Sequence, residues 1–210
     1  MSFKGPPELL DKKLKLQLRL AQLEKVDKCQ DNFLTFVKAM WPEFIFGHHH
    51  GTIAEKFERV AKGELKRLII NMAPRHTKSE FASFLFPAWM IGLNPKLKII
   101  QATHTTELAV NFGRKVKNLI EEEEYKEIFP DTELSVDSKA AGRWDTKQGG
   151  MYYAVGVGSN LAGRGADLLV IDDPHSEQTA MSNTGFEDAW DWYTGGPRQR
   201  LQPGGAIVLV

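Results

Sequence analysis

The stretch "LIINMAPRHTKSEFASFL" (68–85) carries an apolar run, a short polar loop, Lys78-Ser79 and then an apolar stretch at helical spacing. Strand, loop and helix in that order are the layout of a phosphate-binding loop. In such a loop, backbone N–H groups at a helix N-terminus surround the phosphates. The lysine reaches the β/γ oxygens and the next hydroxyl binds Mg2+. Counting back from Lys78-Ser79, the two glycines of the pattern fall on Met72 and Thr77, and both are missing. Glycine is favoured there because it tolerates unusual dihedrals and lets the backbone approach phosphate closely. Taken alone, the stretch fits a plain strand–turn–helix better.

A second segment changes the balance. "ADLLVIDDP" (166–174) is an apolar strand ending in two carboxylates. That is the make-up of a Walker B element, in which a buried strand places Asp172 toward a Mg2+ shell and Asp173 toward a water. The same residues also suit a strand end followed by an Asp-Asp-Pro turn. The two motifs in this order, on strands of one sheet, favour nucleotide hydrolysis. Arg75 lies inside the loop, and Arg164 sits between two glycines in "NLAGRGADLL" (160–169). An arginine near a γ-phosphate stabilises the spread charge of the transition state; a surface salt bridge accounts for each arginine as well.

The rest of the chain alternates in the same manner. Strands are expected at 67–71, 97–103, 151–158, 167–173 and 205–210, with helices at 79–91, 105–122 and 187–193. Short apolar runs separated by helices indicate parallel strands with crossover helices, hence an α/β sheet covered on both faces. Residues 1–7, with Gly5, Pro6 and Pro7, read as a loose end. Leucines at 9, 10, 14, 16, 18, 20 and 23 among lysines predict an amphipathic helix over 8–28. A second helix near 31–40 is ended by Trp41-Pro42. His48, His49 and His50 precede a helix over 52–61 and read as a loop or cap. Three adjacent histidines cannot all face one metal, and no carboxylate or cysteine spacing supports a site. The run Glu121 to Glu124 reads as a solvated helix end.

At 210 residues the chain suffices for one substantial domain with its own core. Lys+Arg and Asp+Glu balance at 27 each, so any nucleic-acid surface must be a local basic patch. The lone Cys29 excludes an internal disulfide framework and suits a reducing compartment. No apolar run approaches a membrane span, and the N-terminus is too charged for a secretory signal. The stop at Val210, inside what reads as a buried strand, is the expectation for a fragment of a longer protein.

From one end to the other the sequence resembles the N-terminal ATPase domain of bacteriophage terminase large subunits, the motors that pump double-stranded DNA into procapsids. "LKRLIINMAPRHTKSEFAS" (65–83) resembles the family's variant phosphate loop, which lacks the first glycine and carries an arginine before Lys-Ser. "EEYKEIFPDTELS" (123–135), "AAGRWDTKQGGMYYAVGVG" (140–158) and "LAGRGADLLVIDDPHSE" (161–177) are similar to the stretches leading into and through its Walker B strand. "WDWYTGGPRQRLQPGGAIVLV" (190–210) is similar to the run toward its third motif. Thr77 departs from the family, where glycine usually precedes the lysine.

The resemblance implies a P-loop NTPase fold of the RecA-like (ASCE) type, with a helical extension at 1–40 and the ATPase domain at 41–210. The family's coupling motif and its nuclease domain are absent from these residues. It implies ATP and Mg2+ as cofactors and a nucleotide site formed by Pro74, Arg75, His76, Thr77, Lys78 and Ser79. Ser79 and Asp172 would bind the metal, Asp173 would be the catalytic carboxylate, and Arg75 would clamp the γ-phosphate. Arg164 would act as an arginine finger toward a neighbour in a ring-forming homo-oligomer. Adenine would be held between Trp41 and Thr52. The implied partners are double-stranded DNA, the phage portal and procapsid, and a small terminase subunit, in the cytoplasm of the infected host. DNA could meet Lys12, Lys13, Lys15 and Arg19, or Arg114, Lys115 and Lys117. Two other readings stay open: a helicase-like nucleic-acid ATPase, and a module that binds nucleotide without hydrolysing it.

Overall fold

The computed structural model describes residues 7–138, 140–161 and 163–210. Gly5 and Pro6, expected as part of a loose end, lie outside the described residues. A six-stranded sheet runs through the molecule, formed by β1 (Arg67–Ile69), β2 (Lys98–Thr103), β3 (Arg143–Asp145), β4 (Met151–Gly156), β5 (Ala166–Ile171) and β6 (Leu201–Leu209). The strand order is β1-β6-β5-β2-β4-β3, and every pairing is parallel except β3 with β4. The α/β architecture with a mainly parallel sheet is therefore present.

Period-two alternation sorts the strand residues onto two faces. Ile99, Tyr152, Ala154, Leu168, Val170 and Val208 point into the larger core. That core is closed by helices α2 (Phe33–Met40), α3 (His48–Ala61), α4 (Phe86–Leu93), α5 (Thr106–Glu121) and α6 (Glu123–Ile128). Phe33 sits at its centre, edge-on to Phe57, Phe81, Phe86 and Trp89. Ile100, Ala102, Val155, Leu169, Ile171 and Ile207 form the other face. Helix α8 (Asn183–Gly195) packs there through Trp192 and Tyr193, preceded by the short α7 (Glu177–Ala180). The two faces are covered unequally, and Ile69 on edge strand β1 stays 72% exposed.

Several expectations need correction. Helix α1 (Pro7–Asp31) forms, but it is not amphipathic. At 3.6 residues per turn, Leu14 and Leu18 fall on one side while Leu16, Leu20 and Leu23 fall roughly opposite. All five are between 46% and 59% exposed. The end of α1 is anchored by buried Cys29, whose carbonyl accepts from Trp89 Nε1 at 2.9 Å, and by Gln30 Nε2 donating to Ile128 O. Glu121 to Glu124 is solvent-exposed and α5 ends at Glu121 as expected, but the run is not only a helix end: Glu122 is extended, with ψ 143, and α6 starts anew at Glu123. The three histidines form the first turn of α3 itself. No helix among the described residues is long and apolar enough to cross a membrane.

Candidate functional site

Strand β1 ends at Ile69, and Ile70 still bonds the sheet by donating its N–H to Leu209 O at 2.8 Å. The chain then leaves as a loop over 71–77 and enters a helical run over 78–93. The first part of that run, Glu80–Leu85, is π-helical before α4 takes over. Strand β5 ends one strand away, since β6 lies between β1 and β5. At ~4.8 Å per strand spacing the two carboxyl ends are about 10 Å apart, close enough for side chains to meet across β6. In open α/β sheets such carboxyl ends are where ligands bind.

The side chains do meet. Lys78 Nζ lies 3.2 Å from Asp173 Oδ1, and Ser79 Oγ donates to Asp172 Oδ1 at 3.1 Å. Asp172 is only 2% exposed, so its carboxylate needs donors. Ser83, one turn beyond Ser79, supplies a second, with Oγ 2.7 Å from Oδ2. Gln101, fully buried on β2, donates Nε2 to Ser83 Oγ at 3.0 Å, which directs the Ser83 proton at the carboxylate. Burial pushes the Asp172 carboxyl above the usual range, and the Ser83 and Ser79 hydroxyls partly offset this. The main chain of Asp173 is held between strands: its N–H donates to Val210 O at 3.2 Å and its carbonyl accepts from His104 N at 3.1 Å.

Backbone strain marks the same place. Among the described residues, the non-glycine positions with positive φ are Arg75 (64°), Thr77 (59°) and Asp173 (43°). All three belong to this one cluster. A residue held there costs on the order of 1–3 kcal/mol, and such outliers gather at ligand clamps and active sites. Thr77 occupies the slot where the phosphate-loop pattern has glycine, and it adopts a left-handed conformation, which glycine enters without steric cost. Its carbonyl accepts the N–H of Phe81 at 3.0 Å, so Thr77 opens the helix. Its hydroxyl donates to His76 O at 2.7 Å and receives His50 Nε2 at 2.6 Å. His76 Nδ1 in turn lies 3.0 Å from Pro74 O. Arg75 is exposed at the loop apex and makes no hydrogen bond or ion pair with the described residues.

Pro74 to Ser79, Asp172 and Asp173 are thus brought together. Arg164 is not among them. It precedes β5 rather than following it, and its guanidinium stacks 4.0 Å over the Tyr153 ring. Six strand residues at ~3.3 Å put Asp172 about 20 Å away, so within one chain Arg164 does not reach the loop. On α5, the candidate DNA contacts are already engaged: Lys115 pairs with Glu80 at 2.6 Å, Lys117 donates to Ser138 O, and Arg114 donates to Asn111. Lys15 pairs with Asp11 on α1.

Sequence reasoning missed His50, Ser83, Gln101 and His104. Ser83 lies four residues after Ser79 on the same helix, and Gln101 is the lone amide in the apolar "LKIIQAT" (97–103). Those were readable signals. His50 and His104 carry none, because their partners lie 27 and 69 residues away.

Ser79 and Asp172 present only hard oxygen donors, the set that Mg2+ takes alongside phosphate oxygens and water. The residues therefore fit that ion. Compared with known proteins, the chain matches no family model and no curated protein.

Proposed function

We propose that this chain is a Mg2+-dependent ATPase, the motor domain of a phage terminase large subunit that drives double-stranded DNA into a procapsid. One observation carries the ATPase part: Lys78-Ser79 and Asp172-Asp173, more than 90 residues apart, pair off one to one across the sheet. The terminase part is carried by the sequence resemblance. The sheet order supports the RecA-like type, with β6 between the loop strand and the acidic strand.

The loop N–H groups and Lys78 would bind the β- and γ-phosphates, and the exposed guanidinium of Arg75 would clamp the γ-phosphate. Ser79 and Asp172 would hold Mg2+, which when bound neutralises charge on the β- and γ-oxygens. Asp173, left-handed and half-exposed, faces the space beside Lys78 and would orient the attacking water. Attack forms one P–O bond at the γ-phosphorus as the bond to the β-bridging oxygen breaks, leaving ADP and phosphate. Positioning and charge neutralisation supply most of the acceleration. Phe44 and half-exposed Phe46, beside His50, lie in the segment 41–52 assigned to adenine. Arg164 lies far from the loop of its own chain, so as an arginine finger it would act on a neighbouring subunit, and the isolated chain would then turn over slowly. The setting is the host cytoplasm at the procapsid, with portal and small subunit as partners.

A second reading, a module that binds nucleotide without hydrolysing it, is favoured by the β-branched Thr77 at the loop's left-handed position. ATP hydrolysis by the purified chain at high concentration, beside Lys78→Ala, separates the two. Loss of about 100-fold or more in the variant supports the ATPase. Binding without turnover, even at concentrations where the chain self-associates, supports the module. A wild-type chain that binds no Mg·nucleotide sinks both.

A further inference from the structure

Thr77 poses a local problem that a glycine at this position would not. A β-branched residue resists the left-handed region more strongly than most, and relaxation to an ordinary conformation would swing the loop's N–H groups away from the phosphates. Something must hold residue 77 in place.

Three hydrogen bonds in series do so. The N–H of Gly47, the N-cap of α3, donates to His50 Nδ1 at 2.8 Å. With Nδ1 occupied as an acceptor, the ring proton sits on Nε2. That Nε2–H donates to Thr77 Oγ1 at 2.6 Å, and the threonine hydroxyl then donates to His76 O at 2.7 Å. Each group in the series has one role, so reversing any bond leaves a donor or acceptor unmatched. The ring itself cannot drift. It is 4% exposed and lies against Phe44 at 4.8 Å and Phe81 at 4.9 Å. Phe81 N–H bonds the Thr77 carbonyl, so side chain and main chain of residue 77 are both held. Burial, with smaller contributions from neighbouring His49 and His76, lowers the proton affinity of His50 against an opposing backbone bond to Gly47, which favours the neutral ring overall.

We propose that His50 is a positioning residue for the phosphate loop: by bonding the Thr77 side chain it holds residue 77 left-handed, doing for threonine what the lack of a Cβ does for glycine. This rests on reading 72–79 as a phosphate loop. It also ties the cap of α3, and with it the segment assigned to adenine, to the loop that would bind the phosphates.

The test is a two-by-two comparison of His50→Phe and Thr77→Gly in the full chain, read as Mg·ADP dissociation constants. Phenylalanine fills the aromatic pocket and removes both ring nitrogens. His50→Phe should weaken binding about fivefold or more in the Thr77 chain, and less than about twofold in the Thr77→Gly chain, as one hydrogen bond's worth would. His50→Gln, which can accept from Gly47 and donate to Thr77, should restore most of the loss. An equal loss in both backgrounds overturns the proposal and leaves His50 a core residue only. If the wild type binds no Mg·ADP, the ATPase reading fails by itself, and His50 is judged by nitrogen-15 spectra. A protonated Nε2 whose signal shifts on Thr77→Gly then supports the bond; an unchanged signal refutes it.

Discussion

The acidic strand end at 166–173 and the loop at 71–79 reach the same place by different means. The former is carried by the sheet: β5 pairs on both sides, with β2 and β6, and Asp172 follows directly from it, its N–H donating to Ala102 O. The loop has no ladder. Beyond Ile70 its conformation is held by side chains, chiefly the His50–Thr77–His76 series. A carboxylate can be positioned by burial on a strand, because its ligand need approach only one edge. A phosphate cradle must point several N–H groups at one spot, which demands unusual dihedrals and some means of holding them. The two parts should therefore fail differently when perturbed: the strand end by losing charge balance, the loop by losing shape.

Asp172→Asn tests the strand end most severely. On the proposed ATPase reading, turnover should fall by about 100-fold or more, since the carboxylate proposed to hold the metal is gone. Stability should move the other way. The folded state raises the Asp172 carboxyl, so the native chain holds that proton more tightly than the unfolded one. Its ionised form thus costs stability as the pH rises above the usual Asp value of ~3.9. Asparagine carries no such cost. In thermal unfolding at several pH values, the advantage of the variant should grow from pH ~4 toward neutrality. A variant less stable than wild type at pH 7 breaks the contrast.

Ser83→Ala acts on the same carboxylate with a smaller effect. It removes the donor to Oδ2 and strands Gln101 Nε2. Losing a hydrogen bond to a buried charge costs about 1.5–3 kcal/mol of stability. Without the hydroxyl, the Asp172 proton is held still more tightly. The acid limb of the pH–rate profile should therefore move to higher pH, with turnover at neutrality down about tenfold. An unmoved acid limb would mean that Ser83 only fills space.

How far these parts were legible follows from the range of the interactions that build them. Strands β2, β4 and β5 stood out because their apolar runs are long enough to be buried on both faces. β3, only "RWD" (143–145), did not, since three residues carry no period; its Trp144 is placed by stacking on Tyr152 at 4.9 Å. Glu122 was hidden for a related reason, as an acidic run reads as one helix whether or not one residue turns extended. The leucines of α1 misled because their number suggested a buried face while their spacing put them on two. In the site, Lys78, Ser79, Asp172 and Asp173 were readable, because chemistry fixes which residue types follow a strand. The grip on Thr77 was not, because it arises only when α3 and the loop are packed together.

The smallest expected effect discriminates most finely. Thr77→Gly removes a left-handed β-branched residue, a gain of about 1–3 kcal/mol. It gives back about 0.4–1 kcal/mol in unfolded-chain entropy, and leaves the buried His50 Nε2–H without its acceptor at about 1–3 kcal/mol. These terms nearly cancel, so the melting temperature should shift by no more than about 4 °C for a chain of this size. Thr77→Ala keeps the backbone penalty and loses the hydroxyl as well. It should be less stable than Thr77→Gly by about 1–2 kcal/mol, although alanine outranks glycine almost everywhere else in a fold. Thermal melts of the two variants side by side read that inversion directly. If alanine proves the more stable, residue 77 is not left-handed in solution, and the loop does not have the shape that the contrast with the strand end requires.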